Sequence, residues 1–564
     1  MYGIIYFIYC KKNTFGKEDF MNIKKITAVI CAICVAANLC ACNNKSEESS
    51  SSAAENPDLS YLDGLKENMR TEFNTSLDLS EVEFTTSNLD LPEQFFEAEV
   101  DAEYTGNVKL STPLIPGFTG DAYLEGLNTQ GDEIIFTVNI EESGTYDLCF
   151  NTGRYSTGNS ENYVNVDGIS AGTIITVAGE QFYESTLTQV YLEAGERKIS
   201  LTPMNGYIWV DNLTVKPAQT FLNAEHYNVT ASLTNENASQ EAKNLYQFLC
   251  DVYGKYTISG QYCDDGYNGA TMGEIYEKTG EYPAMLGLDL IEYSPSRVEA
   301  AGSISSNAIE MAMEWSIKYG GIVTMCWHWN APTKYLHNNQ EHPWYKGFYA
   351  DATSIDLDKI MNGEDDEGYQ LLLDDIKAIA QQLQRLEDAG VPVLWRPLHE
   401  AGGNSTSSPW FWWGNCEAQS YIDLWNLLYD QLTNVYGLDN LIWVWNGQRA
   451  DYYPGDDTVD IIGWDIYAPE HSYSSQSGTF IESVGYTDET KIIALTENGV
   501  LVDPELAFRD NARWSWFCTW ESYMTQFGIG VEKNTEFYMW EKVFQSERVI
   551  SLDELPDIAN YNAQ

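Results

Sequence analysis

The sequence has few basic residues and very little histidine for its length. It contains 31 lysines and arginines against 84 aspartates and glutamates, which gives a formal net charge of −53, and six histidines in 564 residues. A strongly negative field repels nucleic acid and other polyanions, so we expect no nucleic-acid partner. The same charge is also typical of a solvated extracellular surface, since net charge governs solubility and not fold.

Motifs of several enzyme classes are missing as well. His399-Glu400-Ala401-Gly402-Gly403 lacks the second histidine of a zinc-protease motif, and the six cysteines after Cys42 have neither CxxC pairs nor metal-finger spacing. No G-x-S-x-G sequence follows a predicted strand and opens a predicted helix, so a serine nucleophile is not supported. We therefore expect chemistry that needs no catalytic cofactor.

The first hydrophobic run is too short to span a bilayer comfortably. Two lysines precede the apolar stretch 26–37, and the following Leu39-Cys40-Ala41-Cys42 resembles a bacterial lipobox. This pattern predicts a lipoprotein signal peptide over residues 1–42 and lipidation of Cys42. We expect an exported protein anchored at the cell surface, on the outer face of a membrane. An uncleaved membrane anchor is the alternative.

Two regions of different character follow the signal. Residues 43–92 are polar and acidic and begin with a serine-rich run, which predicts a polar linker. Residues 93–218 alternate short strands with turns, and Val166-Asp167-Gly168 is a hairpin signal within them. Many short strands at this spacing predict a β-sandwich module.

From residue 235 to 560, apolar strands alternate with helical stretches. Parallel strands that are buried on both faces read as continuous apolar runs, so this pattern predicts an α/β fold, a (β/α)8 barrel of the TIM type. The alternative is an open doubly wound sheet, but no glycine-rich nucleotide loop follows the first strand. The eight predicted strands are 256–261, 283–290, 321–327, 391–397, 441–445, 461–466, 492–496 and 515–519.

Two glutamates fall where such a barrel carries its chemistry. Glu400 follows the fourth predicted strand and Glu497 the seventh, and catalytic groups of these barrels lie at the C-terminal ends of strands. Two carboxyl groups can divide acid and nucleophile roles if their surroundings separate their pKa values. A separation of about 5–5.5 Å indicates retention and one of about 6.5–9.5 Å inversion. For either glutamate alone, an ordinary salt bridge is the alternative.

Aromatic residues accompany these strand ends. They include Trp327, Trp329, the run 410–413, Trp464 and Trp520. Flat rings can stack on the apolar faces of sugars, although core packing explains many of them. In the run 410–413 we expect about half of the rings to face inward.

Several segments, taken in order, resemble glycoside hydrolase family 26, a retaining family dominated by β-1,4-mannanases. The resemblance covers residues 238–558 and implies Glu400 as acid/base and Glu497 as nucleophile. The segments that carry it are Ser259-Gly260-Gln261, Cys326-Trp327-His328-Trp329-Asn330-Ala331-Pro332, Trp395-Arg396-Pro397-Leu398-His399-Glu400, Trp464-Asp465-Ile466-Tyr467 and Val549-Ile550-Ser551-Leu552-Asp553-Glu554-Leu555-Pro556.

The same resemblance implies a set of substrate-binding side chains. His399 and Tyr467 would position the nucleophile and the sugar, and His328 and Asp465 would contact the substrate or support those groups. Trp410 matches the aromatic residue a few positions after the acid, and Trp520 would form a stacking wall after the eighth strand.

The β-sandwich resembles carbohydrate-binding module family 35. Phe96-Glu97-Ala98-Glu99 and Trp209-Val210-Asp211-Asn212-Leu213 carry this resemblance. It implies a structural calcium ion with Glu97, Glu99 and Asp211 as oxygen ligands, which suit a hard cation. A solvated acidic edge is the alternative.

Together these features predict a monomeric endo-β-1,4-mannanase that hydrolyses galactomannan or glucomannan with retention. One alternative is another β-glycanase of the same family, namely a β-glucanase, a β-1,3-xylanase or an exo-acting mannobiohydrolase. The other is a non-catalytic glycan-capture lipoprotein. That alternative predicts the loss of a carboxylate, whereas both glutamates are present.

Overall fold

The computed structural model describes residues 60–67, 69–74, 77–85, 89–113, 115–155, 158–219, 222–403, 409–521 and 532–561. The predicted signal peptide, Cys42 and the first part of the predicted linker lie outside these ranges. In the part that is described, no helix is both long and apolar enough to cross a membrane. All six cysteines in these ranges are free, and four of them are buried.

Residues 94–217 form two antiparallel sheets. One sheet has the order β3-β4-β11-β6-β9, with β1 paired to β11, and the other has the order β2-β5-β10-β7-β8. The strands are β1 (Gln94–Glu97), β2 (Ala102–Thr105), β3 (Lys109–Ser111), β4 (Tyr123–Leu127), β5 (Glu133–Ile140), β6 (Gly144–Gly153), β7 (Ser160–Val166), β8 (Ile169–Thr176), β9 (Phe182–Leu192), β10 (Gly195–Asn205) and β11 (Ile208–Pro217).

Alternate residues of these strands build the core between the two sheets. In β5, Ile134, Phe136 and Val138 are buried while the residues between them are partly or fully exposed. Phe136 meets Phe150 of the other sheet, with ring centroids 6.3 Å apart. A period of two is the side-chain period of a strand, so the sequence pattern and the observed burial agree.

The C-terminal region closes into a barrel of eight parallel strands in sequence order. The predicted fold class, a (β/α)8 barrel preceded by a β-sandwich, is confirmed. The barrel strands are β13 (Gly260–Tyr262), β14 (Met285–Asp289), β15 (Ile322–Trp327), β16 (Val393–Pro397), β17 (Leu441–Trp445), β18 (Ile461–Ile466), β19 (Ile492–Asn498) and β20 (Phe517–Thr519).

The first predicted strand divides into two short pieces. Its first part is β12 (Thr257–Ile258), which pairs outside the barrel with β21 (Val549–Ile550). Both the backbone N–H and the hydroxyl of Ser259 donate to the carbonyl of Ile550. A Cβ at Gly260 would lie 2.5 Å from the carbonyl oxygen of Phe517, so glycine permits the close approach where the barrel begins.

Most of the described helices lie in the barrel region, and four of them begin with a side chain that accepts a hydrogen bond from the first turn, namely Ser239, Asp356, Asp365 and Asp503. Asp365 accepts a hydrogen bond from the N–H of Gly368 at the start of the longest one, and Leu372, Ile376 and Ile379 form part of its buried stripe. The helices are α1 (Ser60–Lys66), α2 (Ala98–Asp101), α3 (Gln240–Val252), α4 (Ala270–Thr279), α5 (Pro295–Ala301), α6 (Ala308–Met313), α7 (Leu357–Met361), α8 (Asp366–Asp388), α9 (Ala418–Tyr429), α10 (Ser477–Val484), α11 (Pro504–Arg509) and α12 (Phe537–Phe544).

Part of the segment that the sequence assigns to a polar linker packs against the barrel. Leu62 and Leu65 of α1 are buried in the barrel core cluster. Further along, the guanidinium of Arg70 donates to the carbonyls of Leu552 and Asp553. The described residues between 60 and 85 therefore add to the barrel surface, because apolar and basic side chains among them find partners on it.

The sandwich also packs directly on the barrel. The hydroxyl of Ser472 donates to the carbonyl of Ser170 at 3.2 Å, and that of Ser477 donates to the carbonyl of Gln189 at 2.6 Å. A Cβ at Gly478, in the first turn of α10, would lie 2.7 Å from Leu187 of β9. These contacts bring the β8 and β9 edge of the module next to the mouth of the barrel.

Candidate active site

The two predicted glutamates converge at the C-terminal mouth of the barrel. Glu400 lies in the turn after β16, and Glu497 lies near the end of β19. One carboxylate oxygen from each of Glu400, Glu497 and Asp465 lies within 4.8 Å of the other two. This spacing agrees with the separation of about 5–5.5 Å found in retaining glycosidases and is shorter than the separation in inverting enzymes.

A buried arginine organises the floor of the site. The guanidinium of Arg396 is fully buried and donates to Asp465 at 2.7 Å, to the hydroxyl of Tyr262 at 3.0 Å, and to Glu497. A buried charge is costly unless it is paired and hydrogen-bonded, and here two carboxylates provide the pairing. No role was predicted for Arg396 from the sequence. The signal for it was a basic residue inside an otherwise apolar strand.

Tyr467 is the second donor to Glu497. Its hydroxyl lies 2.7 Å from Oε2 of Glu497, while Arg396 contacts the other carboxylate oxygen. Burial, followed by the negative charges of Glu497 and Glu400, raises the pKa of Tyr467 well above its ordinary value, so the hydroxyl keeps its proton and donates. Hydrogen bonds to both oxygens fix the orientation of the Glu497 carboxylate.

Glu400 has a different environment. Burial, followed by the nearby carboxylates of Asp465 and Glu497, raises its pKa well above the ordinary value. The indole N–H of Trp410 donates to Oε2 of Glu400 at 2.9 Å. Glu400 also has a positive φ of 49°, and its N–H donates to the carbonyl of Asn446 at 2.7 Å. The two glutamates thus differ in their hydrogen-bond partners, with Arg396 and Tyr467 on Glu497 and Trp410 on Glu400.

Asp465 supports the site from beneath. Its side chain is fully buried, and its oxygens accept hydrogen bonds from Arg396, Asn446 and Thr496, each at 2.7 Å. These three hydrogen bonds fix the orientation of the Asp465 carboxylate beside Arg396. Asn446 and Thr496 were not identified from the sequence, because neither residue type marks a site without its neighbours in space.

The two predicted histidines form a chain with an aspartate. Nδ1 of His328 lies 2.7 Å from Oδ2 of Asp289, and Nε2 of His328 lies 3.2 Å from Nε2 of His399. Burial, followed by the positive charge of Arg396, lowers the pKa of His399 well below its ordinary value, so its ring is neutral. The contact with the His328 ring connects His399 to the rest of the site.

Aromatic rings line the cleft above the carboxylates. A cavity of about 400 Å³ includes Glu400, Glu497, Trp410, Trp520 and Tyr467 in its walls. Three of the four aromatic side chains in 410–413 are buried, more than the half expected, and Trp410 and Phe411 line this cavity. The reason is local structure, because residues 412–414 form a turn of 3₁₀ helix and not an alternating strand.

The three predicted calcium ligands meet around one loop of the module. The hydroxyl of Thr119 donates to Glu97 at 2.9 Å and to Asp211 at 3.1 Å, and the N–H of Asp121 donates to Glu99. Oε2 of Glu99 is buried and has no hydrogen-bond partner among the described residues. An orphaned carboxylate oxygen beside two further acids is compatible with a hard cation.

A (β/α)8 barrel with two glutamates at this separation, in an aromatic cleft, has the architecture of a glycoside hydrolase. The model of glycosyl hydrolase family 26 matches residues 234–554, and that of carbohydrate binding module family 35 matches residues 94–218. The chain belongs to glycosyl hydrolase family 26 and carries a family 35 module.

Several characterised proteins are similar over most of their length. A mannan endo-1,4-β-mannosidase of Thermothelomyces thermophilus is 38% identical over 440 residues, which is 78% of this chain and 86% of the relative. Mannan endo-1,4-β-mannosidase B of a Piromyces species is 32% identical and is matched over 74% of its length and 78% of this chain. The crystal structure of a Podospora anserina GH26-CBM35 β-(1,4)-mannanase aligns with a TM-score of 0.57 and 35% identity, covering 83% of this chain and 99% of that one.

Proposed function

We propose that this chain is an endo-β-1,4-mannanase that hydrolyses internal bonds of mannan polysaccharides with retention. The observation that carries the proposal is the pair of glutamates within 4.8 Å, one held by two donors and the other with a raised pKa. The relatives named mannan endo-1,4-β-mannosidase, matched across both domains, support mannan as the substrate.

Glu497 is the nucleophile in this mechanism. Its carboxylate attacks the anomeric carbon and forms a glycosyl–enzyme bond, while the bond from that carbon to the leaving oxygen breaks. Arg396 and Tyr467 hold the carboxylate in the attacking orientation, which reduces the entropic cost of reaching the transition state.

Glu400 is the acid and then the base. In the first step it gives its proton to the leaving oxygen, and its raised pKa keeps a protonated fraction available near neutral pH. In the second step the Glu400 carboxylate takes a proton from water, and that water attacks the anomeric carbon and releases Glu497. Two inversions at the same carbon give net retention.

A substrate panel tests this proposal. Purified protein is incubated with galactomannan, glucomannan and mixed-linkage β-glucan, and the products are followed by chromatography and proton NMR. We expect mannan-derived oligosaccharides of several lengths, with the β-anomer formed first. Release of only a disaccharide would indicate exo action, and preferential hydrolysis of the glucan would contradict the proposed substrate.

We further propose that Cys42 anchors the protein to the outer face of a membrane. The lipobox-like Leu39-Cys40-Ala41-Cys42 after a short apolar run supports this proposal. In a bacterial host, Cys42→Ser is expected to move the protein from the membrane fraction to the soluble fraction. Equal membrane retention of both forms would contradict lipidation at Cys42.

The module is the proposed site of a structural calcium ion. Glu97, Glu99 and Asp211 would hold it, and the unpartnered oxygen of Glu99 supports the assignment. Calcium is expected to raise the melting temperature relative to EDTA, and Asp211→Asn should abolish that shift. Asp167→Asn, at a surface ion pair of the same module with Arg197, is the matched control and should keep it. An unchanged melting temperature in EDTA would contradict calcium binding.

A further inference from the structure

A second cavity opens where the sandwich meets the barrel. It has a volume of about 780 Å³, and its walls include Glu400 and Trp410 from the barrel and Tyr163 and Ile175 from the module. Glu400, Trp410 and Tyr467 line both this cavity and the catalytic one. The two cavities therefore adjoin at the catalytic acid.

The second cavity is lined by Glu400 and not by Glu497, and this difference indicates where it lies relative to the cleaved bond. Glu497 and Trp520 line the catalytic cavity, whereas the second cavity extends from Glu400 past Gln448 and Trp464. The acid protonates the oxygen of the leaving sugar, so sugars on the Glu400 side belong to the leaving-group part of the substrate. The second cavity therefore lies on the leaving-group side of the cleaved bond.

The module wall of this cavity is held in a fixed place. Ser472 and Ser477 donate hydrogen bonds to backbone carbonyls of β8 and β9, and Gly478 packs tightly against Leu187. Leu222 also donates its N–H to the side chain of Gln189 at 3.0 Å. A wall that is already in place loses little conformational freedom when a ligand binds.

The chemistry of the wall suits a neutral sugar chain. Tyr163 and Ile175 lie on the outward face of the paired strands β7 and β8, and Ile175 is 37% exposed. Next to them Glu161 accepts a hydrogen bond from Thr173 at 2.6 Å. An apolar surface with a polar rim can contact the C–H face of a pyranose and the hydroxyl groups at its edge.

We propose that the module forms part of the substrate cleft, with Tyr163 and Ile175 binding mannose units on the leaving-group side of the cleaved bond. This inference rests on the proposed mannanase function and adds where the polysaccharide runs beyond Glu400. The module thus contributes to the cleavage of a bound chain, in addition to any separate capture of mannan.

The test compares two module variants with a matched control. Tyr163→Ala and Ile175→Ala alter the wall, and Tyr104→Ala removes an exposed tyrosine, 40% accessible, from β2 at the opposite edge of the same sheet. The substrates are β-1,4-mannohexaose labelled with ¹⁸O at the reducing end and an aryl β-mannobioside, whose leaving group is too short to reach the module.

Each wall variant is expected to raise KM for mannohexaose by about three- to tenfold, the size of effect of losing one apolar sugar contact. Cleavage should shift toward the reducing end, giving shorter labelled products, because fewer sugars are held on the leaving-group side. Hydrolysis of the aryl mannobioside should be unchanged, and Tyr104→Ala should behave like the parent protein with both substrates.

Unchanged KM and an unchanged label pattern in both wall variants would overturn the inference. The same change in Tyr104→Ala would also overturn it, since the effect would then come from general damage to the module. A parent protein that leaves mannohexaose and mannan intact would instead refute the proposed function, so the two failures can be told apart.

Discussion

The hydroxyl of Tyr467 donates a 2.7 Å hydrogen bond to Oε2 of Glu497. Because the tyrosine keeps its proton, it is the donor of this hydrogen bond and helps to hold the carboxylate in one orientation. Its removal should affect the reaction and leave the fold intact, since the ring remains in place.

We expect Tyr467→Phe to lower kcat/KM on mannan by about 10- to 100-fold, the usual range for a hydrogen bond to a charged group. Steady-state kinetics on a soluble galactomannan checks this value. Tyr335→Phe, which removes a partly buried hydroxyl that bonds to Asp365, is the control and should keep full activity. Full activity in Tyr467→Phe would show that Glu497 does not depend on this donor.

Arg396→Met should destabilise the protein and inactivate it. The substitution leaves Glu497 and Asp465 buried without their counter-charge, and breaking a buried ion pair costs about 3–5 kcal/mol. Urea unfolding monitored by tryptophan fluorescence measures the loss. The control Arg385→Met breaks a partly exposed pair with Glu310 and should cost about 0–1 kcal/mol. Equal losses in the two variants would contradict the role of Arg396 as the buried counter-charge.

Trp410→Phe should shift the alkaline limb of the pH profile to higher pH. The indole N–H of Trp410 stabilises the carboxylate form of Glu400 and so lowers its pKa. Without that donor the pKa of Glu400 rises, and the acid stays protonated to higher pH. Measurement of kcat/KM between pH 4 and 10, as an experimental range, gives the shift. A move toward lower pH would mean that another group limits activity on the alkaline side.

Glu400→Gln should make stability less dependent on pH. The folded-state pKa of Glu400 is raised above an unfolded value of about 4.3, so the folded protein binds the extra proton between the two values. The free energy of unfolding of the parent protein therefore falls as pH rises from the unfolded pKa through the folded one. Urea unfolding at mildly acidic and mildly alkaline pH should show a smaller fall in the variant. An equal fall would contradict the raised pKa.

The periodicity of the sequence was sufficient to predict both domains and most barrel strands. Buried parallel strands such as Leu441–Trp445 are apolar throughout, whereas the sandwich strands alternate, so the two patterns distinguish the two domains. The position of Glu400 and Glu497 at strand ends followed directly from these strands. What could be predicted was the part of the structure that depends on local pattern.

Features that depend on contacts between distant segments were not predictable in the same way. The packing of Arg70 on the barrel depends on partners such as Leu552, 482 residues away in the sequence. The second cavity likewise requires β8 of the module to meet the loop after β18. Arg396 lies within an otherwise apolar strand in the sequence, but its two carboxylate partners became clear only in three dimensions.

The most direct test of the account is to trap the glycosyl–enzyme. The protein is incubated with an activated 2-deoxy-2-fluoro-β-mannoside, which slows release of the intermediate, and the digested peptides are analysed by mass spectrometry. The account predicts one fluoromannosyl group, attached to the side chain of Glu497. Attachment at Glu400, or hydrolysis through an inverted product with no labelled peptide, would contradict it.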